Sequence, residues 1–227
     1  MTCKPRLALI HATRVAIDPI ETAAQRLWPE AETITILEEG LSTDRQKDSD
    51  LSLELWDRII GLTRYAEDIR ADAILFTCSA FGRAIEDAAE GAKVPVLKPN
   101  EAMFSEALAI GPRVAMIYTF APAAKGMEDE FRDAAKALGS NAKLTSFCCD
   151  GALAAKRLGD DAKHDTLIAE TAASIVDADV ILLAQFSMAD AAGLARQKTA
   201  IPILSSPDSA ILAIKHRVHS QEKDVAC

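Results

Sequence analysis

Short apolar runs alternate along this chain with longer segments of mixed polarity. Leu7–His11, Thr33–Leu37, Ala73–Phe76, Val94–Leu97, Val114–Tyr118, Lys143–Phe147, Val180–Ala184 and Ile201–Leu204 have the length and composition of strands. Between them lie Ala-, Glu- and Arg-rich stretches of helical composition, such as Met127–Leu138. Strands separated by helices predict an α/β protein with parallel sheets covered by helices.

The pattern also repeats. RLALI at 6–10 matches RVAMI at 113–117, an offset of 107 residues, and the same offset carries ADAIL at 71–75 onto ADVIL at 178–182 and VPVL at 94–97 onto IPIL at 201–204. Three strands in one register predict two pseudo-symmetric, Rossmann-like or flavodoxin-like lobes. The expected division is residues 1–100 with 205–227, the latter a returning helix, and residues 101–204. Ligands of open α/β sheets bind at the carboxyl ends of strands, so a cleft between the two lobes is the expected active site.

That expectation directs attention to strand ends. ADAILFTCSAFG at 71–82 stops being apolar at Thr77-Cys78-Ser79. A thiol just past a buried strand and just before a helix stands where α/β folds present chemistry, although a strand-end core cysteine is the plain alternative. The offset pairs Cys78 with Gln185, Ala80 with Ser187, and His11 and Thr13 with Tyr118 and Phe120. Thr77 and Ser79 are candidates both for capping the following helix and for substrate contact. His11, Thr13, Tyr118, Thr119, Gln185 and Ser187 are candidates for binding a carboxylate or carbonyl.

Composition narrows the classes. Of 227 residues 49% are hydrophobic, enough for a sizeable core, and a net charge of −9 without a basic stripe excludes general nucleic-acid binding. No apolar run approaches membrane-spanning length, and MTCKPRLALIHATR is too short in its apolar part for a signal peptide. Five cysteines without CxxC or Cys/His spacing predict a reduced, metal-free, cytoplasmic protein. Cys3 and Cys227 are terminal, and the charged stretch Asp44–Asp50 predicts a solvated loop. Asn100 and Glu101 are expected to cap a helix or join the lobes. No glycine-rich phosphate loop is present, which argues against nucleotide binding.

From IHAT through TCSAFG, VPVLKPNEAM and LAQFSMAD to IPILSSPD, the sequence resembles the Asp/Glu/hydantoin racemase superfamily. The resemblance implies a cofactor-independent isomerase or carboxy-lyase acting on a small carboxylate or carbonyl compound, with a dimer as the usual assembly. Racemases of that family carry one catalytic cysteine in each lobe, and Cys78 matches the first. At the second position stands Ala184-Gln185-Phe186-Ser187, so the chain resembles a single-cysteine branch, related to arylmalonate decarboxylase and maleate isomerase.

Two-base racemisation needs a thiolate and a thiol that exchange roles, and Gln185 transfers no proton. One acid-base group suits decarboxylation, one-base tautomerisation or thiolate addition. Cys149, His11, Tyr118, Ser187 or water are the alternatives for the missing group; for Cys148 and Cys149, paired by the offset with Leu41 and Ser42, the plain reading is small residues at a strand end. A helix start after Cys78 is expected to lower its thiol below the ordinary value of about 8.5. A non-catalytic small-molecule binding protein on the same fold is the competing reading.

Overall fold

The computed structural model describes residues 4–47 and 50–225, the side chains of 221–225 excepted; Cys3 and Cys227 lie outside the described residues. The chain forms two compact units. One comprises the residues up to Pro99 together with those from Pro207 onward, and the other is Asn100–Ser206.

The first unit runs β1 (Arg6–His11), α1 (Ile17–Leu27), β2 (Glu32–Leu37), α2 (Glu39–Arg45), α3 (Leu53–Asp68), β3 (Ala73–Phe76), α4 (Gly82–Gly91) and β4 (Val96–Leu97). The second runs α5 (Glu101–Ile110), β5 (Arg113–Tyr118), α6 (Ala121–Ala137), β6 (Lys143–Cys148), α7 (Ala152–Arg157), α8 (Asp161–Ser174), β7 (Val180–Leu183), α9 (Ala192–Lys198) and β8 (Ile203–Ser205). Nearly all of α10 (Ser206–Val225) belongs to the first unit. Both sheets are four-stranded and parallel, ordered β2-β1-β3-β4 and β6-β5-β7-β8.

The continuous apolar character of β1, β3, β5 and β7 follows from burial on both faces. In the first sheet Ala8, Ile10, Ile74 and Phe76 pack with Leu55 and Ile59 of α3 and with Ala84, Ile85 and Ala88 of α4. Leu7, Leu9, Ala73 and Leu75 point the other way and are equally buried. The edge strands β4 and β8 are shorter than the runs that predict them. Pro95 and Pro202 lend carbonyls to Ile74 and Ile181 but have no N–H of their own.

The repeat holds for three strand pairs and fails for the fourth. His11 pairs with Leu37 in one sheet and Tyr118 with Cys148 in the other. Cys148 therefore corresponds to Leu37 and Cys149 to Glu38, not to Leu41 and Ser42. The second unit is four residues longer between its first two strands, where α6 has 17 residues against 11 in α1.

The stretch beginning at Asp44 is not the expected solvated loop at its start. Residues 39–45 form α2 because Leu41 and Arg45, one turn apart, both face inward. Arg58 of α3 secures this helix by ion pairs to Glu38 and, at 2.7 Å, to Asp44. Positions 48 and 49 of that stretch lie outside the described residues.

Candidate functional site

Each sheet reverses its winding between its two central strands. In the first unit the reversal falls between β1 and β3, and in the second between β5 and β7. Backbones diverge there and leave a crevice beyond the carboxyl ends of the strands. His11, Ala12 and Thr13 stand at the end of β1, and Thr77, Cys78 and Ser79 at the end of β3; Tyr118, Thr119, Gln185 and Ser187 occupy the matching turns of the second unit. Within each unit the residues expected from sequence thus gather at one place.

In the first unit Thr77 and His11 form a buried pair, with Thr77 Oγ1 2.8 Å from His11 Nδ1. The hydroxyl also lies 3.3 Å from the Ile10 carbonyl, which already accepts the Thr77 N–H at 3.0 Å. A hydroxyl has one proton to donate, and 3.3 Å is long for it. If it donates to Nδ1 the imidazole proton stands on Nε2, and if it donates to the Ile10 carbonyl the ring donates from Nδ1 and Nε2 is left as an acceptor. Nε2 meets no partner among the described residues. Burial lowers the His11 pKa from 6.5 to about 4, so the ring is neutral at pH 7. His11 is a neutral ring with Nε2 unused.

Cys78 alternates to the other face. It extends the Ile74–Phe76 row and packs, half-buried, against the α3 and α4 cluster. Burial pushes its thiol up to about 11, against the opposing pull of the nearby Ala80 backbone N–H and the positive charge of Arg45. The depression expected from a helix start is not realised. Only a single 3-10 turn, Ser79–Phe81, comes directly after Cys78, and α4 begins at Gly82. Desolvation outweighs the one N–H and the nearby cation. Neither Thr77 nor Ser79 caps α4: Phe81 holds the N-cap position, and no side chain caps it. Thr13, half-buried, precedes the turn Arg14–Ala16, again without a side-chain cap bond.

In the second unit Gln185 takes the backbone position of Cys78, extended and just before a 3-10 turn. Its Oε1 accepts both the Thr119 N–H at 2.8 Å and the Thr119 hydroxyl at 2.6 Å. A backbone N–H can bond only the oxygen of a carboxamide, so the amide orientation is determined. The NH2 end is left to present two donors and no acceptor. Ser187 is buried in the turn Phe186–Ala191.

Tyr118 stands opposite Cys148 in the β5–β6 pair, and its pKa is raised by burial and by that neighbour. Cys148 is exposed, donates to Asp150 Oδ1 at 3.1 Å, and is pushed up to about 11 by desolvation and by this carboxylate. Cys149 faces inward, among Ile117, Ile168 and Leu183, where the Thr171 hydroxyl lies 3.3 Å from its sulfur. Burial raises its pKa as well. Its surroundings are those of a core residue.

Two roles differ from expectation. Asn100 sits at the N-cap of α5 without capping it; its Nδ2 donates to the Ala184 carbonyl at 3.1 Å, and its Oδ1 accepts from Ser206 at 2.6 Å. Arg45, absent from the sequence-based candidates, is buried and directs Nε to the Ala80 carbonyl at 3.4 Å. Its signal in the sequence is slight: an arginine four residues after an inward leucine. Among the described residues no cluster of His, Cys, Asp or Glu is arranged to hold a metal, and no helix is long and apolar enough to cross a membrane.

The family described as Asp/Glu/Hydantoin racemase matches residues 11–214. No curated protein matches the sequence. Among solved structures, a glutamate racemase isoform from Bacillus anthracis superposes with a TM-score of 0.76 at 13% identity, covering 96% of this chain and 82% of that one. Allantoin racemase from Klebsiella pneumoniae gives 0.72 at 16% identity, with 96% and 89% covered. A mutant of arylmalonate decarboxylase, in a sulfate-associated form, gives 0.64 at 18% identity, with 95% and 94% covered. At such identities the likeness is one of fold: two lobes, each built on a four-stranded parallel sheet.

Proposed function

This chain belongs to the Asp/Glu/hydantoin racemase family, and on that premise we propose a cofactor-independent enzyme in which Cys78 transfers a proton at a carbon next to a carboxylate or carbonyl. The observation that carries the proposal is the contrast between equivalent turns. One holds a thiol at the switch point, and the other holds a glutamine whose oxygen is engaged by Thr119. One group exchanges protons and the other can only donate hydrogen bonds.

A thiol held near 11 keeps its proton at neutral pH. That favours Cys78 as an acid toward a carbanion already formed, over Cys78 as the base that forms it. In a decarboxylation the C–C bond breaks, carbon dioxide leaves, and the electron pair stays as an enediolate. The thiol then delivers its proton to carbon, and the resulting thiolate is reprotonated from water. In a one-base tautomerisation the minor thiolate form of Cys78 takes a proton from one carbon, leaving an enediolate, and the thiol so formed returns a proton on the same face. Nε2 of His11, in the tautomer that protonates it, and the amide of Gln185 are the donors proposed for substrate oxygens, as the charge developing there requires. Thr13, Ser79, Tyr118, Thr119 and Ser187 complete the proposed binding set, with Thr77 orienting His11.

Proton NMR in D2O tests this with wild type and Cys78→Ser, using aspartate, glutamate, hydantoins, 2-keto acids, maleate and arylmalonates. Cys78-dependent deuterium entry at the α-carbon with retained configuration is the expected sign of one-base enolisation, and carbon dioxide release that of decarboxylation. Turnover undiminished in Cys78→Ser overturns the role of the thiol. Ligand binding without turnover, unchanged by Cys78→Ala, selects a small-molecule binding protein instead.

A further inference from the structure

Gln185 is held from several sides within its own unit. The Ala184 N–H bonds the Ile117 carbonyl at 3.1 Å, and the Gln185 carbonyl accepts the Met188 N–H at 2.9 Å. The Ala184 carbonyl, just before Gln185, accepts from Nδ2 of the fully buried Asn100 at 3.1 Å. The side chain is fixed as firmly. Thr119 directs both of its donors to Oε1, the N–H at 2.8 Å and the hydroxyl at 2.6 Å. No acceptor among the described residues meets Nε2 of the half-buried side chain. Two donors and no acceptor thus remain at the carboxyl end of β7, a polarity that fits ligand oxygens and opposes ligand N–H groups.

We propose that Gln185 is the residue that tells a carboxylate from its primary amide in the ligand, and that Thr119 is its positioning residue. A freely turning carboxamide offers either end to a ligand and discriminates the two poorly. With Oε1 engaged by Thr119, the NH2 end alone faces the ligand. Its bonds to an anionic oxygen are stronger than those to a neutral one. Thr119, whose hydroxyl proton is already committed, serves recognition through Gln185 and not by donating to the ligand. The inference deepens the proton-transfer reading, from which it takes the location of the site. It is tested by binding alone, in Cys78→Ala as well as in wild type.

The probes are acids paired with their primary amides: acetate with acetamide, malonate with malonamide, and phenylacetate with phenylacetamide. Proton–nitrogen NMR of the full chain reads affinity from the backbone amides of Thr119 and Phe186, and reads the Gln185 side-chain amide directly. At least one acid is expected to shift that side-chain signal and to bind about tenfold more tightly than its amide. Gln185→Glu keeps an oxygen for Thr119 but presents a second one to the ligand, so the preference should reverse in favour of the amide. Thr119→Val should weaken acid binding about threefold and lower the order parameter of the Gln185 amide, whereas Thr119→Ser should keep both near wild type. In a Gln185→Ala background, Thr119→Val should change affinity no further. The proposal is overturned if no acid shifts the Gln185 signal, if the acid preference survives in Gln185→Glu, or if Thr119→Val costs as much in Gln185→Ala as in wild type. Binding as expected, together with silence across the substrate panel, leaves recognition by Gln185 standing and removes the proton-transfer reading. Cys78-dependent turnover without Gln185-dependent binding does the reverse.

Discussion

His11 shows how burial becomes a pH dependence. Folded, it is neutral with a pKa of about 4; unfolded, it titrates at the ordinary 6.5. As pH falls below 6.5 the unfolded chain takes up a proton that the folded chain refuses, so stability is full above 6.5 and is lost down to about 4, where the loss levels off. The interval corresponds to about 3 kcal/mol. Urea denaturation at pH 7.5 and pH 4 should show wild type losing about that much more than His11→Asn. Equal losses would mean that the folded ring charges freely. At this scale the sequence was informative about which residue types stand at strand ends and silent about their states. It placed a thiol after β3 but not the desolvation that keeps it protonated, because burial depends on what packs above it.

At the scale of elements, the repeated Ala-Asp before β3 and β7 acquires a physical meaning. Asp72 accepts the Arg6 N–H at 2.7 Å, and Asp179 accepts the Arg113 N–H at 2.9 Å. The Asp72 and Asp179 N–H groups return bonds to the Arg6 and Arg113 carbonyls. Each pair clasps the starts of the two central strands and sets their register. The second clasp leaves no room at Gly111, where an added Cβ would come within 2.6 Å of Asp179 Cβ. Gly111→Ala should therefore cost about 1–3 kcal/mol by displacing Asp179, read as a lower midpoint in thermal unfolding. An unchanged midpoint would show that the clasp yields easily. All eight strands were legible, the central β1, β3, β5 and β7 because burial on both faces leaves a continuous apolar signal, and β2 and β6, none of whose residues is fully buried, from alternating polar and apolar residues. Helix α2 was not, because its charged residues look solvated until Arg58 and the inward Leu41 are taken into account.

For the whole molecule, stability lies in the cores of the two units. In the second, Phe104 and Phe131 meet edge to face, with ring centroids 5.5 Å apart and planes at 86°, and both are about 1% exposed. Phe131→Ala should cost about 3–5 kcal/mol, whereas Leu158→Ala, at a side chain 85% exposed, should stay within about 0.5 kcal/mol. Denaturant midpoints for the two variants test the contrast, and similar losses would refute it. Strand periodicity and an internal offset are local properties of the chain, so the sequence by itself determined the α/β class, the doubled plan and the turn that bears Cys78. The partnerships of polar groups are not local. Arg45 meets Ala80 across 35 residues, Thr119 meets Gln185 across 66, and Asn100 meets Ser206 across 106. Only the tertiary structure decided these, because a polar side chain carries no mark of which distant donor or acceptor will satisfy it once water is excluded.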